Sequence, residues 1–219
     1  MGGRGASSGA KRAAVRLTSP SVSGSKSYPV DTSNLKDKTL QGVENRIRRL
    51  QHEEAFIFGK DGQVIAGVSG GNSSVGIPNN WKAIDGATVT HGHPTGRLNF
   101  GGTLSMADAK MMASTNWAEM RAAATGQGEY NYILRRTSHS DNAGLQSRIA
   151  SDKSVMETRI KSEYQTAYSN AIKAGKSNAS ALHLAAQKAT GIMDTYWKKV
   201  LPQYGFEYIK RNSYYTYNR

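Results

Sequence analysis

In the run His91-Gly92-His93-Pro94 two imidazoles stand two positions apart, and after ten intervening residues comes Ser105-Met106-Ala107-Asp108. The segment Ala87 to His93 alternates in character, and side chains at i and i+2 of a strand share a face, so both rings converge on one point. Pro94 cannot donate to a ladder, which ends the strand there and leaves the rings at its rim. Ser105 precedes Met106, Ala109, Met112 and Ala113, apolar residues at helical spacing. It therefore reads as an N-cap, with Asp108 in the first helical turn. Two nitrogens and one carboxylate oxygen, with a fourth position left for water, make the donor set of a catalytic zinc ion. Such an ion lowers the pKa of its water to about 7, and a base, usually a Glu, takes the proton. Upstream, an acidic pair, Glu53-Glu54, opens an apolar stretch.

Taken singly, each piece has an ordinary structural reading: a polar strand face, a capping box and a solvated helix end. Their joint order and spacing point to a metal centre. HxHP followed by SxxD, with a Glu at the start of an upstream strand, resembles the signature of the JAMM (MPN-plus) metallopeptidases. RadC-type proteins and JAMM-like proteins of phages and prophages share that pattern. The resemblance spans residues 45 to 136. It implies an α/β (α+β) fold, with a JAMM/cytidine-deaminase-like central mixed sheet flanked by helices. It also implies that His91, His93 and Asp108 bind Zn2+, that Glu54 is the general base and that Ser105 helps stabilise the oxyanion. Glu54 is assigned over its neighbour Glu53 because its distance to the turn at Lys60-Asp61-Gly62 is family-like. The stretch Thr95 to Leu104 is longer than the family's usual gap, and Gly101-Gly102 suggests an inserted loop.

The elements that must position these groups follow from periodicity. Leu35, Leu40, Val43, Ile47 and Leu50 predict an amphipathic helix over 35–51, with Arg46, Arg48 and Arg49 outside. Residues 54–58 and 63–68 predict two strands joined by a turn at Asp61-Gly62. The Gly/Ser/Asn-rich loop 69–80 lacks the Lys of a phosphate-binding loop and is expected to border the cleft. Residues from Glu119 and from Tyr130 to Arg136 read as closing strands. From 142 to 201 the pattern predicts two long helices joined near Gly175, with Phe206-Glu-Tyr-Ile-Lys returning as an edge strand. His139 and His183 lack partners at metal-ligand spacing. The expected organisation is a basic Gly/Ser-rich disordered arm (1–30), a JAMM-like core (34–136), an appended helical hairpin with its return strand (142–211) and an aromatic, basic tail (212–219).

Composition narrows the chemistry. The chain has no cysteine, which excludes a thiol nucleophile, disulfides and a Cys-bound zinc site. No HExxH occurs, which excludes a zincin. No apolar run approaches the roughly 20 residues that span a bilayer, and the N-terminus lacks a secretory h-region, so no membrane partner is expected. The cytoplasm of a bacterial host, or a virion, is the expected location. Against 16 acids stand 29 Lys and Arg, a formal net charge of +13, with Arg4, Lys11, Arg12, Arg16 and Lys26 ahead of the first acid. That arm suits phosphate neutralisation and hence nucleic acid. Two functions follow as expectations: a zinc hydrolase cleaving peptide or isopeptide bonds in a protein or peptide substrate, or a non-catalytic virion protein that binds nucleic acid or other virion proteins on a JAMM-like fold.

Overall fold

The computed structural model describes residues 27–96, 99–100, 102–125 and 129–213. The expected arm (1–30) lies outside the described residues through Lys26, and the expected tail (212–219) from Tyr214; the end of the arm, Tyr28–Val30, instead forms a strand paired with Gly67–Ser69, and Asn212 ends the last strand. In chain order the elements are β1 (Tyr28–Val30), α1 (Leu40–Ile47), β2 (Glu54–Phe58), β3 (Val64–Ser69), β4 (Thr88–His93), β5 (Thr95–Gly96), β6 (Asn99–Phe100), α2 (Met106–Ala113), β7 (Glu119–Ala124), β8 (Tyr130–Arg136), α3 (Asn142–Lys173), α4 (Asn178–Val200) and β9 (Phe206–Asn212). The fold is mixed α/β. One seven-stranded sheet has the order β1-β3-β2-β4-β7-β8-β9, and β5 and β6 form a separate ribbon.

Local sequence sets the turns. The β2–β3 hairpin closes at Gly62, whose φ of 77° favours glycine, while the Asp61 carboxylate accepts from the Gln63 amide at 3.0 Å. Helix α1 is shorter than the periodicity predicts. Leu35 ends a one-turn 3-10 helix, and Asp37 binds the Thr39 hydroxyl and amide, so that Thr39 caps a helix starting at Leu40.

The sheet separates two apolar layers. On one face α1 packs Val43 and Ile47 against Phe56, Phe58 and Ala123. On the other, Ala55, Ile57, Val89 and Ala122 meet α2 through Ala109 and Met112, α3 through Leu145 and Ile149, and α4 through Met193 and Trp197. The α1 face also holds a polar knot. Glu44, 3 % exposed, accepts from Arg121 Nε at 2.6 Å and from Asn131 Nδ2 at 2.6 Å. Arg48, expected outside, is buried and bonds Asn131 as well.

Strands β4 and β7 are parallel neighbours, and α2 is the crossover between them. This connection matters for the site, because it returns the chain to the carboxyl end of β4 just before α2 begins. Helices α3 and α4 form an antiparallel hairpin turning at Gly175 (φ 74°), capped by Asp141 and Ser177. Its base belongs to the main core, its far end has its own cluster of Tyr164, Ala185 and Ala189, and β9 completes the sheet beside β8. The boundary expected near residue 136 therefore coincides with no gap in packing. No helix among the described residues is long and apolar enough to cross a membrane.

Candidate metal centre

His91 lies opposite Ala55 of β2 and beside Ala122 of β7, and His93 beside Ala124. Alternation puts both imidazoles on the α2 face, and the two alanines leave that face low beside them. Gly92, between them, points the other way, where a Cβ would stand 3.4 Å from the Ile47 carbonyl. The rings meet edge to face, with their Nε2 atoms 2.9 Å apart.

Asp108 arrives from the first turn of α2. Ser105 and Asp108 form a reciprocal capping box: the Ser105 hydroxyl accepts from the Asp108 amide at 3.2 Å, and the Asp108 Oδ2 accepts from the Ser105 amide at 2.7 Å. The helix cap and the candidate ligand are thus the same carboxylate. Its Oδ1 lies 3.2 Å from His91 Nε2, and its Oδ2 lies 3.5 Å from His93 Nε2. An ion held tetrahedrally by nitrogen and oxygen at about 2.1 Å separates its ligand atoms by about 3.4 Å. The donor set and the approach of all three side chains suit one metal ion, with the two Nε2 atoms, 2.9 Å apart, separating by about 0.5 Å to take tetrahedral places around it. Among the described residues this is the one group of three metal-ligating side chains close enough to share an ion.

The charges are ordered for that purpose. His93 Nδ1 bonds the Gly102 carbonyl at 2.9 Å, so Nδ1 carries the proton and Nε2 is directed at the centre. Burial opposes a charge on His93. The hydrogen bond to Asp108 and its charge, then the charge of Glu53 and the Gly102 carbonyl, overcome this and push the imidazole up to about 9. Burial likewise works against an ionised Asp108, but the charges and hydrogen bonds of His91 and His93 hold its carboxyl well below the usual range. Without a metal, a proton held by His93 and shared with the Asp108 carboxylate takes the cation's place.

The structure corrects the expected position of one residue. Glu54 does not face the histidines. Side chains alternate along β2, so Glu54 joins Phe56 and Phe58 on the α1 face, where Arg46 binds it through Nη2 at 3.0 Å and Nε at 3.2 Å. His52 Nε2 stands 3.5 Å from the same carboxylate. Glu53 has the opposite parity, shared with Ala55 and therefore with His91. It is buried, its backbone continues the pairing of β2 through Gly70 and Gly71, and its charge acts on His93. Ser105 is beside the centre as expected; its hydroxyl accepts from the Asp108 amide, leaving its own proton to donate elsewhere. His139 is exposed in the turn after β8, at the other end of that strand from Tyr130 and the row of His93, and His183 is exposed on α4. Neither joins the group.

Comparison with protein-family models, with curated proteins and with solved structures finds no match.

Proposed function

We propose that the chain is a zinc-dependent hydrolase of JAMM type, acting on peptide or isopeptide bonds. The observation that carries this reading is the convergence of His91, His93 and Asp108, with the charge of buried Glu53 acting on His93. Two imidazoles and one carboxylate are the borderline-soft donor set that suits zinc, and three protein ligands leave a coordination position for chemistry. The position of the centre, at the carboxyl end of a parallel strand and the start of the crossover helix, is also where α/β sheets receive ligands.

When bound, zinc would supply Lewis-acid polarisation of a scissile carbonyl and a lowered pKa for water. The chain's own residues do the rest. His93 is held in one tautomer by the Gly102 carbonyl, and Asp108 in one rotamer by the Ser105 amide. Glu53, rather than Glu54, takes the proton of the attacking water as oxygen adds to the carbonyl carbon, and returns it to the amine nitrogen as the C–N bond breaks. Ser105 donates its hydroxyl proton to the oxygen that gains charge.

The test compares zinc-loaded wild type with Glu53→Gln and Glu54→Gln on a panel of peptides and isopeptide-linked conjugates. Cleavage by wild type and Glu54→Gln, with a loss of about 10²- to 10⁴-fold in Glu53→Gln at unchanged zinc content, is the expected result. A Glu53→Gln protein that cleaves at full rate would remove that residue from the chemistry. The formal charge of +13 favours an additional, non-catalytic role on nucleic acid. That role predicts DNA binding that weakens steeply with salt and is lost on deleting residues 1–26.

A further inference from the structure

Two of the three candidate ligands, His93 and Asp108, hang on one short irregular segment, Gly102 to Ser105. Its first carbonyl holds His93, and its last amide holds Asp108. A segment with no ladder or helix of its own directs those groups only as well as it is itself anchored. Its two middle residues reach into the C-terminal third of the chain. The Leu104 carbonyl accepts from Trp197 Nε1 at 2.8 Å, and the Thr103 hydroxyl bonds the Tyr208 hydroxyl, which in turn meets Asp194 Oδ1 at 3.0 Å. Gly102 lies directly against α4, since a Cβ there would meet Thr190 Oγ1 at 2.5 Å.

The direction of this relay follows from its end. The Asp194 carboxylate only accepts, and Lys198 Nζ already donates to its other oxygen at 2.7 Å. Tyr208 therefore gives its single proton to Asp194 and accepts from Thr103. Burial, foremost, pushes the Tyr208 phenol far up, so it remains a donor. Its ring stacks on Tyr132 with centroids 6.5 Å apart, which fixes the hydroxyl's position from below.

We infer that Tyr208 is a positioning residue for the metal centre: held by Asp194 of α4, it pins the Gly102–Ser105 segment and so fixes the aim of His93 and Asp108. The inference rests on the metal-centre reading for its consequence, though the anchoring can be read without a metal. Groups bonded directly to the ligands alter metal affinity by about 10- to 100-fold when lost; Tyr208 acts one step further out, through Thr103, so a change near the lower end is expected. The C-terminal helix and last strand are thereby part of the site.

Tyr132 provides a control in the same stack, because its hydroxyl is buried with no hydrogen-bond partner among the described residues while its ring packs on that of Tyr208. Tyr208→Phe and Tyr132→Phe are compared with wild type by zinc competition titration, by the visible absorption of the Co2+-substituted protein, and by hydrogen exchange of the Ser105 amide without metal. In Tyr208→Phe the zinc Kd should rise about tenfold, the Co2+ bands should shift and the Ser105 amide should exchange faster, with Tyr132→Phe unchanged in all three. Affinity, spectrum and exchange left at wild-type values in Tyr208→Phe, or equal changes in both variants, would overturn the inference. Should wild type take up no zinc, the metal reading fails by itself and the Ser105 exchange rate still decides the anchoring: faster in Tyr208→Phe alone sustains it, unchanged overturns it.

Discussion

Chelator-treated protein should lose stability as pH rises from 6 to 9.5, and zinc should cancel that loss. His93 is pushed up to about 9 in the fold, against an ordinary value of 6.5 in the unfolded chain. Below pH 6.5 the ring is protonated in both states and its contribution is complete. Between 6.5 and 9 the folded protein keeps a proton that the unfolded chain has released, so stability falls, and above 9 the contribution is gone. At about 1.4 kcal/mol per pH unit, the full contribution is on the order of 3 kcal/mol. For a chain of this size 1 kcal/mol moves Tm by about 2–4 °C, giving a fall of about 6–12 °C across the window. Asp108 is depressed rather than raised, so its contribution is lost only on acidification below the ordinary carboxylate range and does not change here. Zinc must displace the His93 proton, so its apparent Kd should tighten about tenfold per pH unit over the same interval. The assay is a set of thermal melts at stepped pH, with chelator and with excess zinc, on wild type and His93→Ala. A chelator-treated wild type whose Tm tracks that of His93→Ala across the window would refute the shared-proton account.

Glu54→Gln should lower Tm by about 2–4 °C through loss of about 1 kcal/mol in its pairing with half-exposed Arg46, and should leave zinc affinity at the wild-type value in a competition titration. Glu44→Ala strands Arg121 and Asn131 without their buried acceptor, and should cost about 3–5 kcal/mol, read as a lower denaturation midpoint at unchanged slope. Gly205→Ala, at φ 71° with a Cβ only 2.3 Å from the His139 carbonyl oxygen, should cost more than about 1 kcal/mol in the same assay, whereas Gly191→Ala, with open space around it, should not destabilise.

The members of the candidate ligand set were legible because the spacings that mark them are local. Two positions along a strand fix a shared face for His91 and His93, and a capping box fixes Asp108 relative to Ser105; what brings the two pieces together, including the anchoring through Trp197 and Tyr208, has no local signature. The choice between Glu53 and Glu54 was not local. Every residue of β2 is buried, so its own pattern names neither face; the answer comes from pairing Ala55 with His91, a contact between strands far apart in sequence. Arg48 misled for a related reason. Helical periodicity places charges outside, but α1 lies over a sheet face where Arg121 and Asn131 offer partners that only the fold assembles. The return strand was visible in Phe206 to Lys210, yet its bond to Thr103 spans 105 positions and has no signature in either segment.

The most direct measurement is elemental analysis of protein purified without chelators, run beside a His91→Ala/His93→Ala double variant. One zinc per chain in wild type and none in the variant is the predicted result. A wild type without zinc, or a variant that keeps it, would contradict the metal centre.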